Sequence, residues 1–249
     1  MDPQKIRALL ESVRGGGVGI DDALAQLRDL PFTDLGYAMV DHHRALRQGA
    51  PEVVFGEGKT TEQIVGIAKA ILDHGSVCFI TRVDATKALG VLDAFPDARH
   101  AAVARTITIA RAPIPKRGSA PVAVIAAGTS DLPVAEEACE TLAALGREVV
   151  RLYDVGVSGI HRLLMKRDVV AHAAALIVVA GMEGALPSVV GGMTDRPVIG
   201  VPTSVGYGAA LGGWTALAAM LTSCASGVTV VNIDNGFGAA FAAARIDRA

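Results

Sequence analysis

Apolar positions along the chain switch between helical and strand spacing. Ile6, Leu9, Leu10 and Val13 recur at three- and four-residue intervals, as do Ala23, Leu24 and Leu27. The first 30 residues therefore predict two short helices around Gly15-Gly16-Gly17, with Asp21 and Asp22 at the start of the second, where acidic side chains suit the helix dipole. Residues 36–110 predict a small α/β unit. Val53-Val54-Phe55 is a short apolar run, Thr60–Asp73 places Ile64, Ile67, Ala68 and Ile71 on one helix face, Val77–Val83 is rich in strand formers, Ala85–Phe95 is helical again, and Ala101–Ile109 reads as one strand. The segment Ala112–Ala120, with two prolines, a glycine and two cations, has linker composition. It places a domain boundary between residues 1–117 and 118–249.

From Pro121 the alternation is regular. Strands are predicted at Val122–Ala127, Glu148–Leu152, Ala175–Ala180, Val198–Val201 and Val228–Val231, and helices at Leu132–Leu145, Ser158–Ala171, Leu186–Met193, Gly208–Ser223 and Gly236–Ile246. Nearly continuous apolar strands separated by helices imply a parallel sheet covered on both faces. The fold class is thus α/β, a small N-terminal α/β domain followed by a parallel-sheet α/β/α domain. In such sheets ligands bind beyond the carboxyl ends of the strands, so chemistry is sought in the loops leading into helices.

Composition narrows the possibilities. The 249 residues are 51% hydrophobic and 19% charged, with a formal charge of -2. The isoelectric point is near 6.3 and the mean hydropathy is +0.42. A large core is available, and no basic excess favours nucleic acid. Three scattered cysteines make neither a disulfide framework nor a Cys-rich zinc site, so a reducing cytoplasm is the expected compartment. The start is charged and amphipathic, unlike a signal peptide. Tyr207–Cys224 lacks charge but carries four polar or glycine interruptions in its first nine residues, and reads as a buried helix of a large or oligomeric core, not a bilayer span.

Four loops carry candidate chemistry. Gly128-Thr129-Ser130-Asp131 follows a strand directly: glycine permits close approach, and the hydroxyls and free N–H groups suit a phosphate, although an ordinary capped turn has the same composition. Glu136 and Glu137 behind it read as a solvated face. In Gly181-Met182-Glu183-Gly184 a carboxylate stands between glycines at a strand end, placed to meet a metal or serve as a base, or simply to face solvent. Gly206, Gly208 and Gly212 approach the dinucleotide fingerprint, but the spacing is wrong and no acidic partner follows, which leaves a phosphate-cradling loop. Cys224 stands among Thr222, Ser223, Ser226 and Gly227, a setting open to a ligand, whereas Cys78 and Cys139 sit inside apolar elements as packing residues. Positions 181–238 hold 12 of the 28 glycines, as a backbone in close contact with a ligand or a second subunit requires. Phe55-Gly56-Glu57-Gly58-Lys59-Thr60 ends like a P-loop but has Val53 where the first glycine belongs, and Asp41-His42-His43 reads as ordinary histidines, not as a metal site.

Taken together, GTSD at 128–131, AGMEGALPS at 180–188 and PVIGVP at 197–202 resemble the ligand loops of PurE, the carboxyaminoimidazole ribonucleotide mutase. That pattern has a catalytic His before Leu-Pro, and here Ala185 stands there. The chain is more similar to the LarB family, the pyridinium-3,5-biscarboxylic acid mononucleotide synthases of nickel-pincer cofactor biosynthesis. VDHHRALRQGAPEVVFGEGKT at 40–60 resembles the N-terminal signature of that family, and Glu183 and Cys224 fall where the family has them.

The resemblance implies a PurE-like C-terminal domain. It also implies carboxylation of nicotinic acid adenine dinucleotide at pyridinium C5, with CO2 or bicarbonate as co-substrate, and hydrolysis of the phosphoanhydride to release AMP. Cys224 is then the nucleophile, with Glu183 and Asp131 as catalytic carboxylates whose division of labour stays open. Glu183 would also bind Mg2+ or another divalent cation, and Gly128, Thr129, Ser130, Gly181, Met182, Gly206 and Gly208 would line the substrate. A homo-octamer without nucleic-acid or membrane partners is expected. The alternatives are a PurE-type mutase and a non-catalytic nucleotide-binding protein.

Overall fold

The computed structural model describes residues 3–28 and 32–247, which divide into two compact units. Among these residues, the first unit comprises those up to His100 and 105–113, and the second comprises 101–104 and those from Ile114 onward.

In the first unit, helices α1 (Pro3–Arg14) and α2 (Ile20–Arg28) precede a two-stranded antiparallel pair, β1 (Phe32–Asp34) and β2 (Met39–Asp41), and a short helix α3 (Arg44–Gln48). Then follow β3 (Val53–Phe55), α4 (Thr61–His74), β4 (Val77–Thr81), α5 (Ala85–Ala94), β5 (Arg99–Ala101) and β6 (Thr106–Ala110), with sheet order β3-β4-β6-β5. Thr60 and Gln63 close the α4 N-terminus reciprocally as a capping box. The apolar stripe of α4 (Ile64, Ile67, Ala68, Ile71) and Ala88 and Val91 of α5 pack on Val54, Cys78, Ile80, Ile107 and Ile109. The single strand expected at 101–109 is two strands, because the chain turns between them with Arg105 in a left-handed conformation (φ 53°).

His42 is 5% exposed, stacked on His74 with ring centroids 3.9 Å apart, its Nε2 2.8 Å from Thr33 Oγ1. Burial, and then the neighbouring His74, push its pKa down to about 4, while Asp41 and Asp73 pull the other way. The fold thus prefers the neutral ring. Its contribution is complete above the ordinary histidine pKa and is lost as pH falls toward 4. Lowering the pH from 7.5 to 4.5 should cost the first unit about 2 kcal/mol through this residue. His42→Gln should flatten that part of the urea-midpoint profile; an unchanged profile would exclude His42 as its source.

The second unit contains β7 (Arg117–Ala126), α6 (Leu132–Ala144), β8 (Arg147–Leu152), α7 (His161–Leu164), α8 (Arg167–His172), β9 (Ala175–Ala180), α9 (Leu186–Gly191), β10 (Val198–Pro202), α10 (Trp214–Leu221), β11 (Val228–Val230) and α11 (Gly236–Ile246). The five strands are parallel, in the order β11-β10-β9-β7-β8. Alternate strand residues serve opposite faces. Val122, Val124, Ile177, Val179, Ile199 and Val201 pack beneath α6 and α11. Ala123, Ile125, Leu176, Val178 and Val198 pack beneath α7 to α10. Both faces are covered, as the continuous apolar runs require.

Three expectations need correction. First, the segment read as linker is paired from Arg117 onward, before a register shift ahead of Val122. Its polar residues find a buried partner. Ser119 donates to Asp247 through its N–H (3.0 Å) and its hydroxyl (2.8 Å), and Arg147 reaches Asp247 at 3.3 Å and the carbonyl of Ala244 at 2.7 Å. Asp247→Ala strands a buried guanidinium and should cost about 3–5 kcal/mol in denaturant unfolding; a loss below 1 kcal/mol would show that the clamp does not hold this seam. Second, the helix expected at 158–171 is broken into a 3-10 turn (Val157–Gly159), α7 and α8. Likewise, 208–213 is a 3-10 segment with Leu211 and Gly212 left-handed, so the regular helix begins only at Trp214. Paired glycines at 212 and 213 interrupt it. Third, the acidic face of α6 is not solvated. Glu137 and Glu140 are buried; Glu137 accepts from the N–H of Phe237 at 3.2 Å, and Glu136 holds Arg151 and the Tyr153 hydroxyl.

Candidate active site

The chain goes from β7 outward to β8, then returns to place β9 on the other side of β7. Between β7 and β9 the winding direction reverses, which opens a crevice at the carboxyl ends of these strands. The loops 128–131 and 181–185 leave from those two strands.

Asp131 is the centre of this end. It is 3% exposed, at the close of a 3-10 turn Thr129–Asp131. One carboxylate oxygen accepts from the Thr203 hydroxyl at 2.6 Å, the other from the Gly128 N–H at 3.0 Å, and the Gly181 N–H also donates to the group. Three strand-end loops are thereby tied to one side chain. Burial raises its pKa and nearby Asp234 adds to the rise, while the three hydrogen bonds oppose it. Asp234 itself, left-handed at φ 56°, accepts from the Ser204 N–H at 2.8 Å.

Two glycines make this closeness possible. A Cβ on Gly181 would lie 2.4 Å from the Val205 carbonyl and 2.7 Å from Thr203 Oγ1. Gly213, at φ 98°, would place one 2.7 Å from the Thr203 carbonyl. Around the buried centre the candidate ligand groups face outward. Thr129, Ser130, Met182, Glu183, Gly206 and Gly208 are exposed, and Met182 is left-handed at φ 51°. Its N–H donates to the Val205 carbonyl, which ties the 181–185 turn to the 203–213 loop.

The structure therefore brings together Gly128, Thr129, Ser130, Asp131, Gly181, Met182, Glu183, Gly206 and Gly208. It does not bring Cys224 to them. Cys224 is exposed, on the loop that enters β11 from its amino end. Ser223 bonds Ser188 of α9 at 2.7 Å, and Ala225 and Val228 pack against Gly191 at the end of that helix. Within one chain the thiol lies at the amino end of β11, whereas Asp131 lies at the carboxyl ends of the strands. Cys78 and Cys139 are buried, and burial pushes their thiols up to about 12 and about 11.

Among the described residues no three His, Cys, Asp or Glu side chains come together as a metal site. Glu183 alone fits a cation of the Mg2+ type, which takes one or two carboxylates and completes its shell with substrate phosphates and water. Two residues of the site were not anticipated. Thr203 follows β10 in a stretch noted for its glycines, and Asp234 sits in Asn232-Ile233-Asp234-Asn235 after β11, where a polar cluster behind a strand was the available signal.

Comparison with known proteins agrees with this architecture. Residues 32–111 match the family described as LarB/PurE-like N-terminal domain, and residues 121–249 match the family described as AIR carboxylase. An uncharacterized protein of Methanocaldococcus jannaschii is 38% identical over 245 residues, covering 95% of this chain and 94% of that protein. A probable N5-carboxyaminoimidazole ribonucleotide mutase of Methanothermobacter thermautotrophicus is 34% identical over 133 residues, covering 50% of this chain and 37% of that protein. The second unit is thus a PurE-like domain of the AIR carboxylase class. With its matching N-terminal domain, the chain belongs to the LarB family. A carboxylase- or mutase-type role follows at that level. No helix among the described residues is long and apolar enough to cross a membrane.

Proposed function

We propose that the protein carboxylates the pyridinium ring of nicotinic acid adenine dinucleotide at C5 and hydrolyses the phosphoanhydride. The products are pyridinium-3,5-biscarboxylic acid mononucleotide and AMP. Family membership suggests the reaction, and one observation supports placing it here. Buried Asp131 gathers three loops at the winding reversal and leaves Glu183, Thr129 and Ser130 open beside it.

The chemistry assigns each group a task. A thiolate adds to C4 of the cationic ring, and the ring nitrogen regains its electron pair. The resulting enamine attacks CO2 from C5 and forms the new carbon–carbon bond. A base takes the C5 proton, and the C4–S bond then breaks to restore the pyridinium and the thiolate. Asp131 has both oxygens engaged and acts by positioning. Glu183 is exposed and takes the proton. Hydrolysis is a separate step, in which Glu183 would hold Mg2+ with the phosphates; when bound, the cation neutralises charge on the departing AMP.

Cys224 is the nucleophile. Its place at the amino end of β11, away from the carboxyl ends where Asp131 sits, supports a site shared between two copies of the chain, one holding the ring at its strand ends and its neighbour presenting the thiol. This suits a homo-octamer in the cytoplasm, with the dinucleotide as the small-molecule partner.

A mutase acting on an aminoimidazole ribonucleotide is the second reading, favoured by the named Methanothermobacter relative. Incubation with nicotinic acid adenine dinucleotide, bicarbonate and Mg2+, followed by mass spectrometry, should give an added carboxyl and free AMP. Turnover of the aminoimidazole substrate alone would support the mutase, and binding without any new product would support a carrier.

A further inference from the structure

Four large apolar side chains stand exposed on the segments that reach the Asp131 centre: Met182 (44%), Tyr207 (82%), Leu211 (66%) and Trp214 (65%). They come from the 181–185 turn and from the 203–213 loop with the first residue of α10, and the two loops are joined by the hydrogen bond from the Met182 N–H to the Val205 carbonyl. Three of the four are immediate chain neighbours of a glycine pressed against the site. Met182 follows Gly181, whose N–H reaches Asp131. Trp214 follows Gly213, which lies on the Thr203 carbonyl. Tyr207 follows Gly206, where a Cβ would stand 3.7 Å from Met182 Cα. Gly208 and Gly212, between them, have nothing within 4 Å of a Cβ, so the backbone there is open to a flat group. No charged residue occurs between Arg196 and Asp234. An exposed apolar patch at a strand-end crevice marks a binding surface. Aromatic and thioether side chains with open glycine backbone suit the face of a planar ring.

We propose that Met182, Tyr207, Leu211 and Trp214 form the wall on which a flat heteroaromatic base of the nucleotide substrate stacks. The inference rests on the dinucleotide reading above and adds the residues that select the base. Adenine and pyridinium share the required chemistry, and the test separates them.

Trp214 is the only tryptophan, so its fluorescence reports the wall directly. The full-length protein is titrated with AMP, with nicotinic acid mononucleotide, and with ribose 5-phosphate as a phosphate lacking a base. Saturable quenching by one of the two nucleotides, and none by ribose 5-phosphate, is expected. Tyr207→Ala should weaken that nucleotide roughly tenfold, and Tyr207→Phe should restore it, since a stacked base commonly gains this much from an aromatic partner. Equal quenching by ribose 5-phosphate would overturn the proposal. So would a blue-shifted Trp214 emission that no nucleotide alters, which would instead place the patch under a second copy of the chain. Quenching without carboxylated product would refute the proposed reaction and leave the wall standing. Product formation with KM unchanged in Tyr207→Ala and Trp214→Leu would do the reverse.

Discussion

Cys224→Ala should lower carboxylation at least about 1,000-fold while leaving the fold intact, because an exposed side chain is lost and with it the covalent route. The sharper result is expected from mixing. Cys224→Ala chains and Glu183→Ala chains should each be inactive alone. Unfolded together, refolded and assembled at equal ratio, they should regain about a quarter of the wild-type rate, since random pairing gives that share of sites an intact thiol from one copy and an intact carboxylate from its neighbour. The geometry motivates this. Gly200 of β10 lies beside Met220 of α10, and the chain runs on beyond Met220 through Ser223 toward the start of β11. From Gly200 to Thr203, in the other direction, is already roughly 10 Å of strand. A thiol on that loop is therefore expected to serve a ring held by a neighbouring copy and not one above Thr203 in its own chain. Absence of recovered activity in verified mixed assemblies would end the shared-site reading.

The parallel sheet was legible because its strands are buried on both faces, so Ala175–Ala180 and Val198–Pro202 read as unbroken apolar runs. The loops were legible for the related reason that they must follow those runs. What escaped was whatever depends on contacts distant in the chain. Asp247 turns a proline-rich seam into a paired strand across 128 residues, and no local pattern at 117–120 announces that. Glu137 looked solvated because the residue that covers it, Phe237, is 100 positions away. The 208–223 segment differs in where its helix starts. Its apolar composition predicts a helix buried in a large or oligomeric core; left-handed backbone at Leu211 and Gly212 delays that helix to Trp214, and Tyr207 and Trp214 are exposed in a single chain. The order of βα and αβ connections, which sets Cys224 apart from the other candidates, is a property of topology; spacing along the chain does not carry it.

Asp131 should separate positioning from proton transfer. Asp131→Ala leaves three donors facing a buried gap, the Thr203 hydroxyl and the Gly128 and Gly181 N–H groups, and should destabilise the second unit by about 3–5 kcal/mol. Asp131→Asn keeps the shape but turns an amide toward one of those donors, and should cost about 1–3 kcal/mol. The pH dependence has a definite sign. Because the folded carboxyl has a raised pKa, its contribution is fully present below the ordinary aspartate pKa and is lost as pH rises through the folded value. Asp131→Asn should remove that decline, so the stability difference from wild type narrows as pH rises. If Asp131 acts by tying loops together, Thr203→Val should reproduce a large part of the kcat loss of Asp131→Asn, about 100-fold, because it cuts the tie between Asp131 and the loop after β10. If Asp131 were itself the proton acceptor, Thr203→Val would stay near wild-type rate while Asp131→Asn would be inactive, and the base would have to be reassigned from Glu183 to Asp131. Product release measured for both variants, with urea midpoints taken on the same preparations, distinguishes the two.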